Sequence, residues 1–288
     1  MCRLFGFRSV ISSQIHSSLV EADNAILHQS NFHSDGWGVA YYLGGAPHLV
    51  RSTSAAVEDT LFKKVSGIVA SETLVAHLRK ATQGNLCITN AHPFQYGRWI
   101  FAHNGNIANF KERREQLLAR ISPLLRRYIL GTTDSEVLFY LLLSHLSRRV
   151  ELHRTGCRLD ALKEAVTEAL SELFELIGPL HHSDDGPATE NYTTFIITDG
   201  STMLGFNGGK TLYYSTYKTR CSERDTCPCF SPECEAETST EYVNHMLLAS
   251  EPIQGENVWL KMELGQMVGV DWNMRFKNYQ MDVPIAAM

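Results

Sequence analysis

Short apolar segments separated by glycine and polar residues dominate the first third of the chain. Three of these segments have the length and composition of β-strands, namely residues 38–43, 73–78 and 99–103. We expect the second and third strands to lie near each other in one sheet.

Helical periodicity replaces the strand pattern after residue 108. Apolar residues recur over 109–125 at a spacing close to that of a helix, so this segment is predicted to be helical. The opposite side of the segment is basic: Lys111, Arg113, Arg114, Arg120, Arg126 and Arg127. Such a cluster attracts phosphate, but a solvated helix face is the favoured interpretation.

Two further helices have recognisable ends. Thr133 and Glu136 have the spacing of a capping box and precede residues 137–146, which are apolar on nearly every side. A helix of that composition should be deeply buried. Residues 159–177 have an ordinary amphipathic pattern that stops at Gly178 and the proline after it.

Strand patterns return in the last third of the chain. Residues 193–198 and 202–206 flank a turn at 199–201 and are predicted to form a hairpin. Further strands are predicted at 211–217, 245–249, 259–262, 266–270 and 274–279. Strands followed by helices and then strands indicate an α+β layered fold. With no linker in the pattern, we expect one domain over 1–288, interrupted by a polar, cysteine-rich loop around 220–242.

Composition excludes several classes of protein. The 288 residues are 44% hydrophobic and 20% charged, which does not fit a disordered chain. The net charge of −5 argues against a nucleic-acid partner. No apolar run is long enough to span a membrane, and polar residues interrupt the N-terminal segment where a signal peptide would need an apolar run. A cytoplasmic location without membrane association is therefore expected. Seven cysteines, an odd number, favour reduced thiols over a disulfide framework.

Cys2 is the most informative residue because it follows Met1 directly. Removal of Met1 would give Cys2 both a thiol and a free α-amine. The α-amine has a reference pKa of about 7.7–8.0, which suits a general base at neutral pH. Nucleophile and base would then belong to one residue. The alternative is that Cys2 is an incidental small residue at the start of a strand.

An oxyanion hole is suggested by Asn104 and Gly105, which follow the apolar strand at 99–103. The asparagine offers a side-chain amide and the glycine an unhindered backbone N–H, the donors that acyl transfer requires. The alternative is a tight hairpin turn, because Asn-Gly is a preferred turn pair.

Two charged residues are candidates for binding an amino-acid substrate. Arg79 follows the strand at 73–78, and its guanidinium has the geometry to bind a carboxylate. Asp134 starts the apolar helix and could bind an ammonium group. The alternatives are a surface charge for Arg79 and helix capping for Asp134.

Six motif segments occur in one order along the chain: Met1-Cys2-Arg3, His33-Ser34-Asp35-Gly36-Trp37-Gly38, His77-Leu78-Arg79-Lys80-Ala81-Thr82, Asn90-Ala91-His92-Pro93-Phe94, Phe101-Ala102-His103-Asn104-Gly105-Asn106 and Thr132-Thr133-Asp134-Ser135-Glu136. Together they resemble the class II glutamine amidotransferases, the N-terminal-nucleophile family. The resemblance implies a four-layer αββα sandwich, in which two antiparallel sheets pack between helices.

The resemblance also implies a reaction. Cys2 would attack the γ-amide carbon of glutamine or of a γ-glutamyl compound and form a thioester. Asn104 and the N–H of Gly105 would stabilise the oxyanion, and the α-amine of Cys2 would transfer the proton. Glutamate and ammonia or an amine would be released.

The substrate-binding residues follow from the same resemblance. Arg79 would bind the α-carboxylate of the substrate and Asp134 its α-ammonium group. Thr82 and His92 match motif positions near the pocket and would have supporting roles. The resemblance implies no cofactor.

The chain departs from synthase-linked members of the family. Lys80 and Gln83 stand where those members often have Trp and His, and no synthase domain follows within the 288 residues. Residues 249–253 are similar to the stand-alone subgroup, which includes enzymes that cleave γ-glutamyl amides. Two alternatives stay open: a glutaminase subunit that supplies ammonia to a separate partner synthase, and a catalytically silent regulatory protein of the same fold.

Four cysteines lie close together in the polar loop: Cys221, Cys227, Cys229 and Cys234. Four thiolates can bind structural zinc, but their spacing differs from the usual paired C-x2-C ligands. Prolines and an acidic run in the same loop favour an exposed loop without a metal. Such a loop could cover the active site or contact a partner.

Overall fold

The structure is a computed structural model, which describes residues 2–14, 22, 26–30, 33–80 and 84–286. Strands within these residues are β1 (Arg3–Gln14), β2 (Trp37–Leu43), β3 (Ala46–Ser52), β4 (Ala70–Leu78), β5 (Phe94–Tyr96), β6 (Trp99–Asn106), β7 (Tyr192–Thr198), β8 (Met203–Phe206), β9 (Tyr213–Ser215), β10 (His245–Ala249), β11 (Leu260–Lys261), β12 (Gln266–Val270) and β13 (Phe276–Gln280). Helices are α1 (Ile26–Gln29), α2 (Thr60–Ile68), α3 (Phe110–Arg120), α4 (Pro123–Arg126), α5 (Asp134–Leu146) and α6 (Leu159–Ile177).

The strands form two antiparallel sheets. One sheet has the strand order β11-β9-β10-β1-β4-β2-β3, and the other has the order β13-β12-β8-β7-β6-β5. The facing surfaces of the sheets bury an apolar cluster to which Leu4 and Val75 contribute from the first sheet and Ile100, Ile196 and Val268 from the second. This buried cluster holds the two sheets together face to face.

Helices cover the outer face of each sheet. On the second sheet, Phe101 and Phe195 share a buried cluster with side chains of α3, α5 and α6. On the first sheet, Trp37 packs edge-to-face on Phe62 of α2 with ring centroids 5.0 Å apart. The arrangement confirms the predicted four-layer αββα sandwich.

The two long helices begin and end as the sequence predicted. α6 occupies 159–177, and Gly178 ends it with a φ of 82°, a conformation that favours glycine. α5 is buried along its whole length, and the Thr133 side chain accepts from the N–H of Glu136 at its N-terminus. The Glu136 carboxylate instead accepts from the N–H groups of Leu130 and Gly131, so only half of the predicted capping box forms.

Two predictions are wrong. The strands predicted at 73–78 and 99–103 lie in different sheets, because β4 pairs with β1 and β2 while β6 pairs with β5 and β7. The helix predicted at 109–125 is broken, because α3 ends at Arg120 and Pro123 begins the short helix α4. Proline has no N–H to continue the hydrogen-bonding pattern of α3.

Candidate active site

The antiparallel pairing of β1 with β4 brings Cys2 beside the end of β4. Arg3 is opposite Leu78 in the register of these strands. The N–H of Lys80 donates to Cys2 Sγ over 3.2 Å, and the thiol donates to the Lys80 carbonyl over 3.3 Å. The half-buried thiol is therefore held between the two strands, next to Arg79.

Two opposing effects act on the Cys2 thiol. Burial is the larger effect and raises the pKa of the thiol, because the charged thiolate is poorly solvated there. The Lys80 N–H and the positive charge of Arg79 lower the pKa, and the negative charge of Asp134 raises it. Cys2 is therefore a neutral thiol at neutral pH and needs a base to become a nucleophile.

Arg79 is a buried residue with 3% exposure, which excludes the alternative of a surface charge. Its N–H donates to the Gly36 carbonyl over 2.8 Å, and its carbonyl accepts from the N–H of Asp35 over 3.2 Å. Its guanidinium donates to the Asn85 carbonyl over 3.4 Å. The motif that contains Gly36 thus fixes the backbone of Arg79.

Asn104 and Gly105 belong to strand β6 and do not form the alternative hairpin turn. They pair with Thr194 and Thr193 of β7. A side chain at Gly105 would overlap the Tyr192 carbonyl oxygen and the His103 ring, so only glycine fits there. Asn104 is 4% exposed, and its side-chain amide makes no hydrogen bond to the described residues.

Asp134 is the first residue of α5 and is buried. Its Oδ2 accepts from the N–H of Ile107 over 2.8 Å, and its Oδ1 accepts from the N–H of Ser135 over 2.8 Å. Thr133 is the N-cap, which excludes that role for Asp134. The carboxylate thereby ties α5 to the chain just after β6.

Three buried histidines lie together behind these residues. The rings of His77 and His92 have centroids 4.2 Å apart, and their nitrogens have no hydrogen-bond partner of normal geometry among the described residues. His103 Nδ1 is 2.9 Å from the Ser135 hydroxyl. Burial lowers the pKa of His77 to about 3 and lowers those of His92 and His103. All three rings are therefore neutral at neutral pH.

A cavity of about 260 Å³ opens beside Asn104. Arg3 and Glu251 form an ion pair of 2.9 Å in its wall, and Asp184 and Asp185 also line it. Glu251 lies in the 249–253 motif and Arg3 in the first of the six motif segments, but no sequence signal singled out the two aspartates. Predicted site residue Thr82 lies outside the described residues.

The cysteine-rich loop contributes to a different cavity. All four of its cysteines line a space of about 390 Å³ together with Ser9 and His245. Ser9 is seven residues along β1 from Cys2, a distance of about 20 Å. The loop therefore does not cover Cys2. No three His, Cys, Asp or Glu residues in the described chain are placed to hold one metal ion.

Among the described helices, none has the length and apolar character to cross a membrane.

The comparisons with known proteins all point to one family. A family model for class II glutamine amidotransferases matches residues 1–273. The Saccharomyces cerevisiae protein DUG3, named as a glutamine amidotransferase, is 28% identical over 71% of this chain and 62% of its own length. The chain thus spans less than two thirds of the length of this curated relative. The Escherichia coli protein YafJ, also named as a glutamine amidotransferase, is 24% identical over 92% of this chain and 96% of its own length.

One shorter match and one solved structure add detail. The γ-glutamyl-hercynylcysteine sulfoxide hydrolase of Mycobacterium tuberculosis is 37% identical over 73 residues, which are 25% of this chain and 31% of that protein. A class-II glutamine aminotransferase domain protein from Silicibacter pomeroyi superposes with a TM-score of 0.62 at 21% identity. The superposition covers 97% of this chain and 98% of that chain, and it supports the fold.

Proposed function

Because this chain belongs to the class II glutamine amidotransferase family, we propose that it hydrolyses the γ-amide bond of glutamine or of a γ-glutamyl compound. The reaction proceeds through a thioester on Cys2. The main support is the pair of hydrogen bonds that hold the Cys2 thiol at the end of β4, beside buried Arg79. The match to a γ-glutamyl hydrolase supports a substrate range wider than glutamine.

The first step requires a base, because burial raises the pKa of the Cys2 thiol. Removal of Met1 provides one in the α-amine of Cys2, which accepts the thiol proton. The sulfur then forms a bond to the γ-carbon, and the carbonyl electron pair moves onto oxygen. The side-chain amide of Asn104, which makes no hydrogen bond to any described residue, and the N–H of Gly105 donate to that oxyanion.

The second half of the reaction returns the proton. The oxyanion re-forms the carbonyl, the carbon–nitrogen bond breaks, and the departing amine takes the proton from the α-ammonium group of Cys2. Water, deprotonated by the same amine, then attacks the thioester. Glutamate leaves, and the thiol of Cys2 is regenerated.

The α-groups of the substrate bind to two oppositely charged residues. Arg79 binds the α-carboxylate, and its buried position strengthens this interaction. Asp134 binds the α-ammonium group. Its two oxygens accept from the N–H groups of Ile107 and Ser135 and from the Ser135 hydroxyl, and a carboxylate has about four acceptor positions, so capacity for one N–H of an ammonium group is left.

The test is glutamate release by the isolated chain from glutamine and from a panel of γ-glutamyl amides and peptides. Turnover of a γ-glutamyl compound, lost in Cys2→Ala, is the expected result. Slow turnover of glutamine alone, accelerated by an added partner, would favour the ammonia-supplying subunit. Absence of glutamate release, with Met1 retained, would overturn the proposal in favour of a catalytically silent protein.

A further inference from the structure

The cavity beside Asn104 carries more negative than positive charge. Arg3, Asp184, Asp185 and Glu251 are the charged residues that line it, three carboxylates against one guanidinium. We infer that this acidic cavity receives the leaving-group side of the substrate and selects an amine with a second positive charge, such as a diamine. The inference rests on the proposed function and specifies its substrate class.

The position of the acidic cavity relative to the proposed substrate sites supports this assignment. Asn104, the proposed oxyanion donor, lines the cavity, whereas Arg79 and Asp134 are absent from its lining. A substrate whose α-groups bind Arg79 and Asp134, and whose carbonyl oxygen meets Asn104, places its amide substituent on the remaining side. Ammonia needs little room, but a volume of about 260 Å³ accommodates a larger amine.

The negative charge of the acidic cavity is only partly compensated. Glu251 forms its ion pair with Arg3 over 2.9 Å. The Asp184 carboxylate accepts from the N–H of Thr211 over 2.8 Å and from its hydroxyl over 2.7 Å. Because these donors are neutral, they orient the carboxylate without cancelling its charge. The lining therefore attracts a cation and repels a carboxylate.

The loop that carries Asp184 and Asp185 is fixed in place from behind. The buried Lys210 ammonium donates to the Ser183 carbonyl over 2.8 Å and to the Asp184 carbonyl over 3.2 Å. It also lies 3.6 Å from the centre of the Tyr192 ring. Lys210 is not among the lining residues, so the aspartates and not the ammonium face the cavity. Its positive charge attracts Asp184 and Asp185 and offsets part of their negative charge.

Unsatisfied polar groups in the lining indicate a ligand independently of the charges. The Asn104 side chain is buried and makes no hydrogen bond to the described residues. The Nε of Arg3 is also buried without a hydrogen-bond partner among those residues. Arg3 Nε–H and the Asn104 NH2 are donors, so they indicate a ligand with an acceptor oxygen beside its cationic end, which the amide group of a γ-glutamyl amine carries.

Three matched probes test the inference by calorimetry on the full-length Cys2→Ala chain, which cannot turn them over. They are the N-γ-glutamyl derivatives of 1,4-diaminobutane, butylamine and 4-aminobutyrate, which differ mainly in terminal charge. We expect the cationic probe to bind more tightly than the neutral one, by up to about fivefold, the scale of one partly exposed charge pair. The anionic probe should bind most weakly, and added salt should reduce the differences.

Two variants in the same background identify the source of the preference. Asp185→Asn should bring the dissociation constants of the cationic and neutral probes closer together. Glu175→Gln, an exposed change on α6, should leave their ratio unaltered. Equal affinities, no binding of any probe, or a ratio unaffected by Asp185→Asn would overturn the inference.

Hydrolysis of the same probes by the wild-type chain separates the two proposals. Turnover without a charge preference in binding would overturn the acidic-cavity inference and leave the proposed function intact. A charge preference in binding, with no glutamate released from any probe or from glutamine, would overturn the proposed function alone.

Discussion

The backbone N–H of Lys80 donates to the sulfur of Cys2 over 3.2 Å. Antiparallel pairing of β1 with β4 creates this contact, since it places the first residue before β1 beside the residues that follow β4. The fold thereby holds a thiol near the positive charge of Arg79, which partly opposes the effect of burial on the thiol pKa. A positioned thiol with a neighbouring cation suits nucleophilic catalysis.

Loss of the Cys2 thiol should abolish glutamate release. We expect Cys2→Ala to be inactive and to unfold at the wild-type temperature, because Cys2 lies outside the two buried sheet interfaces. Cys229→Ala, a change at an exposed cysteine of the distant loop, should be fully active. Assays of glutamate release with parallel thermal unfolding would check this. Near-normal activity of Cys2→Ala would refute the thioester mechanism.

Removal of the Asn104 amide should slow the chemical step. An oxyanion donor acts mainly in the transition state, so Asn104→Ala should lower kcat by about 10²–10³. The exposed change Asn273→Ala should leave kcat unaltered. Steady-state kinetics with a γ-glutamyl substrate would measure this effect on kcat. A rise in KM without a fall in kcat would contradict the role of Asn104 as an oxyanion donor.

Arg79→Lys should mainly raise KM, because lysine keeps the charge but cannot bind a carboxylate through two parallel hydrogen bonds. The variant also loses the contact with the Asn85 carbonyl, so its thermal stability should be measured alongside its kinetics. A well-folded variant with reduced kcat and unchanged KM would contradict carboxylate binding by Arg79.

Gly105 should tolerate no side chain. A Cβ at this position overlaps backbone and ring atoms in the paired strands, so Gly105→Ala should destabilise the chain by about 1–3 kcal/mol or more. Gly6→Ala on β1 provides a comparison, because its Cβ would lie 3.1 Å from the flexible end of the Ile196 side chain. Equal unfolding free energies for the two variants in urea would argue against the close approach at Gly105.

Acid should destabilise the fold through its buried histidines. Burial lowers the pKa of His77 to about 3 and that of His245 to about 4, below the ordinary value of 6.5. Between the lowered and ordinary values, the unfolded chain binds protons that the folded chain excludes. The free energy of unfolding should therefore fall as pH drops below about 6.5, by up to about 1.4 kcal/mol per pH unit for each such histidine.

Unfolding in urea at pH 6.5 and at pH 5 would measure this loss. His77→Asn should lose less stability than wild type over that interval, because it lacks one of the buried imidazoles. His182→Asn, at an exposed position, should behave like wild type. An identical loss in all three chains would show that His77 does not resist protonation in the folded state.

The sequence predicted best those elements whose pattern is local. Helix α6 has the predicted bounds because its apolar face and Gly178 are both encoded nearby. Strands β10 and β12 also occupy the predicted residues 245–249 and 266–270. The assignment of β4 and β6 to different sheets depends on partners distant in sequence, which a local pattern does not reveal.

In the candidate site too, the features that the sequence did not reveal depend on segments distant along the chain. Strand β7 keeps Asn104 and Gly105 extended, so an Asn-Gly pair that favours a turn locally becomes part of a strand. The burial of Arg79 also depends on a distant segment, the motif around Gly36. The acidic cavity could not be predicted, because Arg3, Asp185 and Glu251 come together only in the folded chain.

The central claim is that residue 2 supplies both the nucleophile and, once Met1 is removed, the base. Mass spectrometry of the active chain, quenched during turnover of a γ-glutamyl substrate, tests it most directly. We predict an intact mass that lacks Met1 and a γ-glutamyl adduct on the peptide that begins with Cys2. Active protein that retains Met1, or an adduct on another cysteine, would contradict the account.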